Sequence, residues 1–188
     1  MSDNPALFSG QLLLAMPSLA DPNFHGSVIL ICEHDEEGAL GLVVNRPLEL
    51  TLGAVLEQLS LPDDRPGLAD RPVYSGGPVE NQRGFVVHDA PGHYPDSLSV
   101  GDTLAVTSSE DVLAAISRGE GPAHFLVALG YAGWGPGQLE QELAENAWLA
   151  APAAPGLIFD TAIAERWRAA AAQIGVDPLR LSGEAGHA

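Results

Sequence analysis

Cys32 and His34 are separated by one residue in the run Val28-Ile29-Leu30-Ile31-Cys32-Glu33-His34. On a regular strand both side chains would point to the same face. A thiol beside an imidazole can form a cysteine nucleophile, a redox-sensing thiol or half of a metal site. Val28 and Leu30 share that face and Ile29 and Ile31 fill the other, which is the pattern of a core strand. Free cysteine is among the most buried residue types, so burial is the leading expectation and Cys32 and His34 are weak catalytic candidates. His25, His88 and His93 add imidazoles at no recognised metal spacing, so neither a metal nor a cofactor is expected.

Two glycine blocks could present main-chain groups to a ligand. Gly76-Gly77-Pro78 follows Ser75, and successive glycines can aim N–H groups at an anion. A sharp turn between strands uses the same residues. The longer glycine pattern of a phosphate loop is missing, which favours the turn and keeps Gly76 and Gly77 as secondary binding candidates. Gly130-Tyr131-Ala132-Gly133-Trp134-Gly135 leads into a helix that begins near Gln138. Its aromatics could form a platform beside the unpaired N–H groups of that helix, which makes Tyr131, Trp134 and Gln138 binding candidates. Equally, Trp134 could plug the core while the glycines allow a bend. Arg46 could hold a partner carboxylate or phosphate in a two-pronged contact, or pair locally with Glu33 or Glu49. Glu140, Glu142 and Glu145 read as a solvated helix face, and Asp63-Asp64 as loop acids without a catalytic partner.

The elements that must position these residues are legible in outline. Strands are expected at Gly10–Met16, Ser27–Glu33, Leu40–Val44, Val73–Ser75, Phe85–His88, Thr103–Thr107 and His124–Tyr131, with a polar hairpin turn over His34–Gly38. Thr51 caps a helix to about Leu59, with Leu50 and Val55 as a hydrophobic staple. Ser108 and Asp111 suggest a capping box for a helix carrying Val112, Leu113 and Ile116, stopped at Gly119. A glycine-rich break spans Gly130–Gly137, before a helix carrying Leu139, Leu143 and Ala147. The last helix runs from about Thr161 to Ile174, buries Ile163, Trp167, Ala171 and Ile174, and is capped by Gly175. Paired strands with interspersed helices indicate an α+β fold.

The chain has 188 residues, which fits a single domain over 1–188 with a loose tail at about 182–188. The net charge is −17, with eight arginines and no lysine. Nucleic-acid affinity depends on cations that displace phosphate counterions, so direct DNA binding is not expected. The absence of lysine removes Schiff-base and P-loop chemistry. One cysteine, no export signal and no long apolar run suggest a cytoplasmic protein without a membrane span.

Four blocks together resemble the AlgH/YqgE family. They are Gly10-Gln11-Leu12-Leu13-Leu14-Ala15-Met16-Pro17; Cys32-Glu33-His34-Asp35 with Gly38 to Arg46; Gly76-Gly77-Pro78-Val79; and Gly130-Tyr131-Ala132-Gly133-Trp134 with Gly137-Gln138-Leu139-Glu140 and Glu142. The resemblance implies a compact mixed α/β domain whose small closed or bifurcated sheet is flanked by helices. Some members carry a transcriptional-regulator label, and the family has no established catalytic residues. The expectation is a non-enzymatic regulatory or protein-interaction protein whose partner is another protein. The alternative is an enzyme or redox sensor using Cys32 and His34.

Overall fold

A computed structural model describes residues 8–19, 21–63, 65–89 and 94–185. Its first half contains β1 (Gln11–Ala15), β2 (Val28–Asp35), β3 (Gly38–Val43), β4 (Pro47–Thr51), α1 (Leu52–Gln58) and β5 (Pro72–Ser75). Next come β6 (Val79–Asp89), β7 (Ser97–Val100), β8 (Leu104–Thr107), α2 (Asp111–Ser117) and β9 (Phe125–Trp134). The chain continues through α3 (Gln138–Ala144), β10 (Trp148–Pro152), α4 (Pro155–Phe159), a short 3-10 turn at Ile163–Glu165, α5 (Arg166–Gln173) and α6 (Pro178–Ala185). None of the helices described is long and apolar enough to cross a membrane.

The strands form one curled, largely antiparallel sheet in the order β10-β1-β2-β3-β9-β6-β8-β7, with β4 and β5 joined at the side of β9. The class is mixed α/β as expected, but with ten strands the sheet is not small. Its curl brings β7 back beside β2. The concave interior is filled by Leu12, Leu30, Leu42, Val87 and Leu126, and is closed by Leu157 and Ile158 of α4 and Ala170 and Ala171 of α5. The outer surface has two separate flanks. Helices α1 and α2 cover Val73, Val86 and Val127 on one flank, and α3 covers Ile29, Ile31 and Val43 on the other. Inward and outward residues alternate along the strands, as a sheet covered on both faces requires.

Helix α1 starts where its sequence indicates, with Thr51 Oγ1 accepting from the Ala54 N–H. Other expectations need correction. The β2–β3 hairpin is tighter than expected, because the strands extend to Asp35 and from Gly38. The expected Ser108/Asp111 box does not form, since α2 is preceded by Glu110 and has no side-chain cap. Strand β9 runs through the expected break to Trp134, with Gly130 at φ +80° as an irregularity inside it. The expected final helix is divided into the 3-10 turn and α5, and Ile174 is exposed rather than buried. Helix α6 extends to Ala185, into the tail expected to be loose at about 182–188, whose last three residues lie outside the described ones. Strands β7 and β10 had no clear sequence signal, being short and lacking strict alternation.

Candidate functional site

The register of β2 decides the fate of the thiol–imidazole pair. Ile31 pairs with Gly41 and Glu33 pairs with Leu40, so Cys32 is the extra residue of a β-bulge. A bulge sets two successive residues against one and resets the alternation after it. Cys32 therefore joins Leu30 and Leu42 in the interior, while His34 emerges on the outer flank and meets Glu140 of α3 at 3.0 Å. The two candidates lie on opposite faces of the sheet. Burial, and secondarily the charge of Glu33, pushes the Cys32 thiol far above its ordinary value, so it stays protonated. The imidazole has Phe8 against it, and its Nδ1 has no partner among the described residues.

The glycine blocks are parts of one crossing. Strand β5 runs parallel to β9 on one edge, whereas β6 pairs with β9 on the other. The chain passes over β9 at Gly76-Gly77, where Gly130 lies beneath it. A Cβ on Gly77 would stand 2.1 Å from the Tyr131 carbonyl carbon, and one on Gly130 would stand 2.5 Å from the Gly77 oxygen. Only glycines allow the two backbones to come this close. The Gly76 N–H donates to Leu129 O, and Gly76 O accepts from Val43 N–H. The block is a crossover between strands rather than a simple hairpin turn, and the Gly76 N–H is bonded within it.

Arg46 is held at the surface by the main chain, donating to the carbonyl oxygens of Asn23 and His25 rather than to Glu33 or Glu49. Trp134 is core, only 6% exposed, and stacks on Phe24 with Trp148 edge-on. Glu142 is the hub of this flank rather than a solvated face. Its Oε1 accepts from both indoles, Trp134 at 3.0 Å and Trp148 at 2.9 Å, and its Oε2 accepts from Gln138. Gln138 in turn accepts from Gly135 N–H, tying the start of α3 to the end of β9. Of the aromatic candidates only Tyr131 remains near the surface, where its hydroxyl donates to Glu80 at 3.0 Å.

His25 is exposed, His88 is fully buried, and His93 lies outside the described residues. No group of three metal-ligating side chains occurs among the described residues. His88 instead anchors a chain of hydroxyls. Its Nδ1 donates to Asp89 O, so in the neutral ring Nε2 accepts from Thr107 Oγ1, which accepts in turn from Ser97 Oγ. This chain fastens β6, β8 and β7 together.

Two openings had no sequence signal as sites, because their apolar and polar residues come from distant segments brought together only by the fold. One, of about 190 Å³, lies at the mouth of the curled sheet, with Cys32 and Phe85 at its base and Arg83 and Leu98 beside it. The other, of about 500 Å³, lies between α1 and α2 on the outer flank.

Residues 12–179 match the model of a protein family described as AlgH-like. A UPF0301 protein of Nitrosococcus oceani is 51% identical over 181 residues, covering 96% of this chain and 97% of the relative. A UPF0301 protein of Xanthomonas campestris is 52% identical over the full length of both. The solution structure of the AlgH protein from Pseudomonas aeruginosa aligns with a TM-score of 0.77 at 48% identity, covering 100% of this chain and 99% of that one. A crystal structure from Corynebacterium diphtheriae aligns at 0.73 with 25% identity, covering 95% and 93%.

Proposed function

The chain belongs to the AlgH-like family, and from that premise we propose that it is a non-enzymatic interaction protein that regulates by contact with another protein, without binding DNA itself. The regulatory part of this reading comes from the label that some family members carry. The contact part is supported chiefly by how the chain uses its few cations. Arg46, Arg65, Arg71 and Arg166 donate to main-chain carbonyls of the fold, and Arg83, Arg118 and Arg168 pair with Glu80, Glu120 and Glu165. With a net charge of −17, the surface left to a partner is dominated by carboxylates. Such a surface steers a basic protein toward itself and repels phosphate backbones. The division of Cys32 from His34 and the suppressed thiolate weigh against thiol chemistry at this pair.

The contact surface best supported is the mouth of the curled sheet, where Tyr131, Val79 and Leu98 lie near the Glu80–Arg83 pair. Aromatic and apolar groups ringed by charge are the usual anatomy of a transient interface. The test is capture of protein from native cell extract on the immobilised chain over a salt gradient. The reading expects a basic protein that elutes with salt, is lost with the double variant Tyr131→Ala/Leu98→Ser at unchanged Tm, and is retained with Cys32→Ser. Capture that depends on Cys32, or salt-sensitive retention of DNA, would overturn it.

A further inference from the structure

We propose that the cleft between α1 and α2 is a binding site for a small uncharged or singly cationic amphiphile, with an apolar body and an amine or amide head. The site lies on the outer flank and borders the mouth of the sheet, with which it shares Phe85 and Ser108. Val55, Leu59 and Leu113 wall it, and Val86, Val127 and Leu129 form its floor. Its volume of about 500 Å³ falls in the range of sites that enclose small organic ligands.

Two polar features select the head group. Ser109 lines the cleft, and its Oγ is turned away from solvent with no hydrogen-bond partner among the described residues, so that it meets a head group in the cleft by rotation about its Cα–Cβ bond. A shielded hydroxyl without a partner calls for one, and a ligand head can supply it. Among the described residues, Glu110 is the only charged one lining the cleft, so the local field and the net charge of −17 have the same sign. A carboxylate or phosphate head would lose water there with no cation to replace it, which excludes fatty acids and nucleotides. An N–H head can donate both to Ser109 and to the Glu110 carboxylate, while the tail covers the floor.

The experiment uses two fluorescent probes that share a ring system. N-phenyl-1-naphthylamine is neutral and carries an N–H, whereas 8-anilino-1-naphthalenesulfonate adds a fixed negative charge. The expected result is saturable binding of the neutral probe at least about tenfold tighter than that of the sulfonate, because the two share the N–H and differ in the charge that Glu110 repels. Decylamine displaces the neutral probe and decanoate does not. Val55→Trp fills the cleft and abolishes binding. Gly84→Val does the same independently, because a Cβ at Gly84 meets only Leu129 Cδ2, at 3.9 Å, and so leaves room for the side chain. Ser109→Ala weakens decylamine about five- to tenfold, the scale of one buried hydrogen bond. Sulfonate binding as tight as the neutral probe, equal displacement by decanoate, or full affinity in a folded cleft-filling variant overturns the proposal. If both fillings unfold the chain, unchanged decylamine affinity in Ser109→Ala overturns it, and the expected loss supports it.

Discussion

The two outer flanks of the sheet are built on opposite plans. Under α3, Phe24, Trp134 and Trp148 interlock, and one carboxylate, Glu142, accepts from both indoles. Under α1 and α2, two seven-residue helices fail to cover the sheet, leaving an open cleft and a hydroxyl without a partner among the described residues. The closed flank contains the sequence motif that looks most functional, and the open flank is made of residues that draw no notice. A dense motif can thus mark a place where the backbone has no alternative. An opening for ligand instead reflects what the fold leaves uncovered.

The largest effect is expected where the chain crosses β9 between the flanks. Gly77→Ala places a Cβ 2.1 Å from the Tyr131 carbonyl carbon, a backbone atom that cannot move aside alone. A loss above about 4 kcal/mol is expected, enough to leave little folded chain. Soluble yield and far-ultraviolet circular dichroism check this; a folded variant with a native urea midpoint would mean that the crossing is loose. Next comes Trp134→Ala, which empties a site only 6% exposed and should cost about 3–5 kcal/mol in urea unfolding. A cost under about 1 kcal/mol would make Trp134 a surface platform after all and erase the contrast between the flanks. Glu142→Ala leaves two indole N–H groups without their acceptor and should cost about 2–3 kcal/mol. On the open flank, Val55→Ala removes a half-buried group from the cleft wall and should cost less than about 1 kcal/mol. If Val55→Ala costs as much as Glu142→Ala, the cleft is closed in solution.

How much of this was legible follows the range of the interactions. Thr51 capping α1, Gly119 ending α2 and Gly175 ending α5 were readable because a cap depends on a few neighbouring residues. The pairing of Cys32 with His34 failed for a non-local reason. The strand alternates as read up to Ile31, but its register against Gly41 and Leu40 inserts one extra residue. Nothing in the run from Val28 to His34 announces that bulge. Gly76-Gly77 and Gly130 were each visible as glycine blocks. Their shared purpose appears only when residues over fifty positions apart in the sequence are stacked. Glu142 was misread because its three-residue spacing from Glu145 suggests a solvated face, whereas Trp148 returns on β10 to claim it. Ser109 could not be singled out, since an unpartnered hydroxyl is a property of packing and not of residue type.

The smallest expected effect lies on β9 itself, at the rim that both flanks share. The Tyr131 hydroxyl donates to Glu80, and that hydrogen bond, then burial, then the charge of Glu80 raise the phenol above its ordinary value of 10.0, against a small opposing pull from Arg83. The folded value therefore exceeds the unfolded one. The stabilisation is complete below the ordinary phenol value and is lost as the pH rises through the folded value. Tyr131 is half-buried but its hydroxyl lies at the surface, so the effect on stability is slight, while the titration itself is readable by ultraviolet difference spectroscopy. Subtracting the curve of Tyr131→Phe isolates this phenol, and Glu80→Gln should return it toward 10.0. A phenol that ionises at or below its ordinary value in the unsubstituted chain would mean that the Glu80 contact does not persist in water. The mouth would then be a mobile edge, and the contrast with the interlocked indoles would extend along the whole of β9.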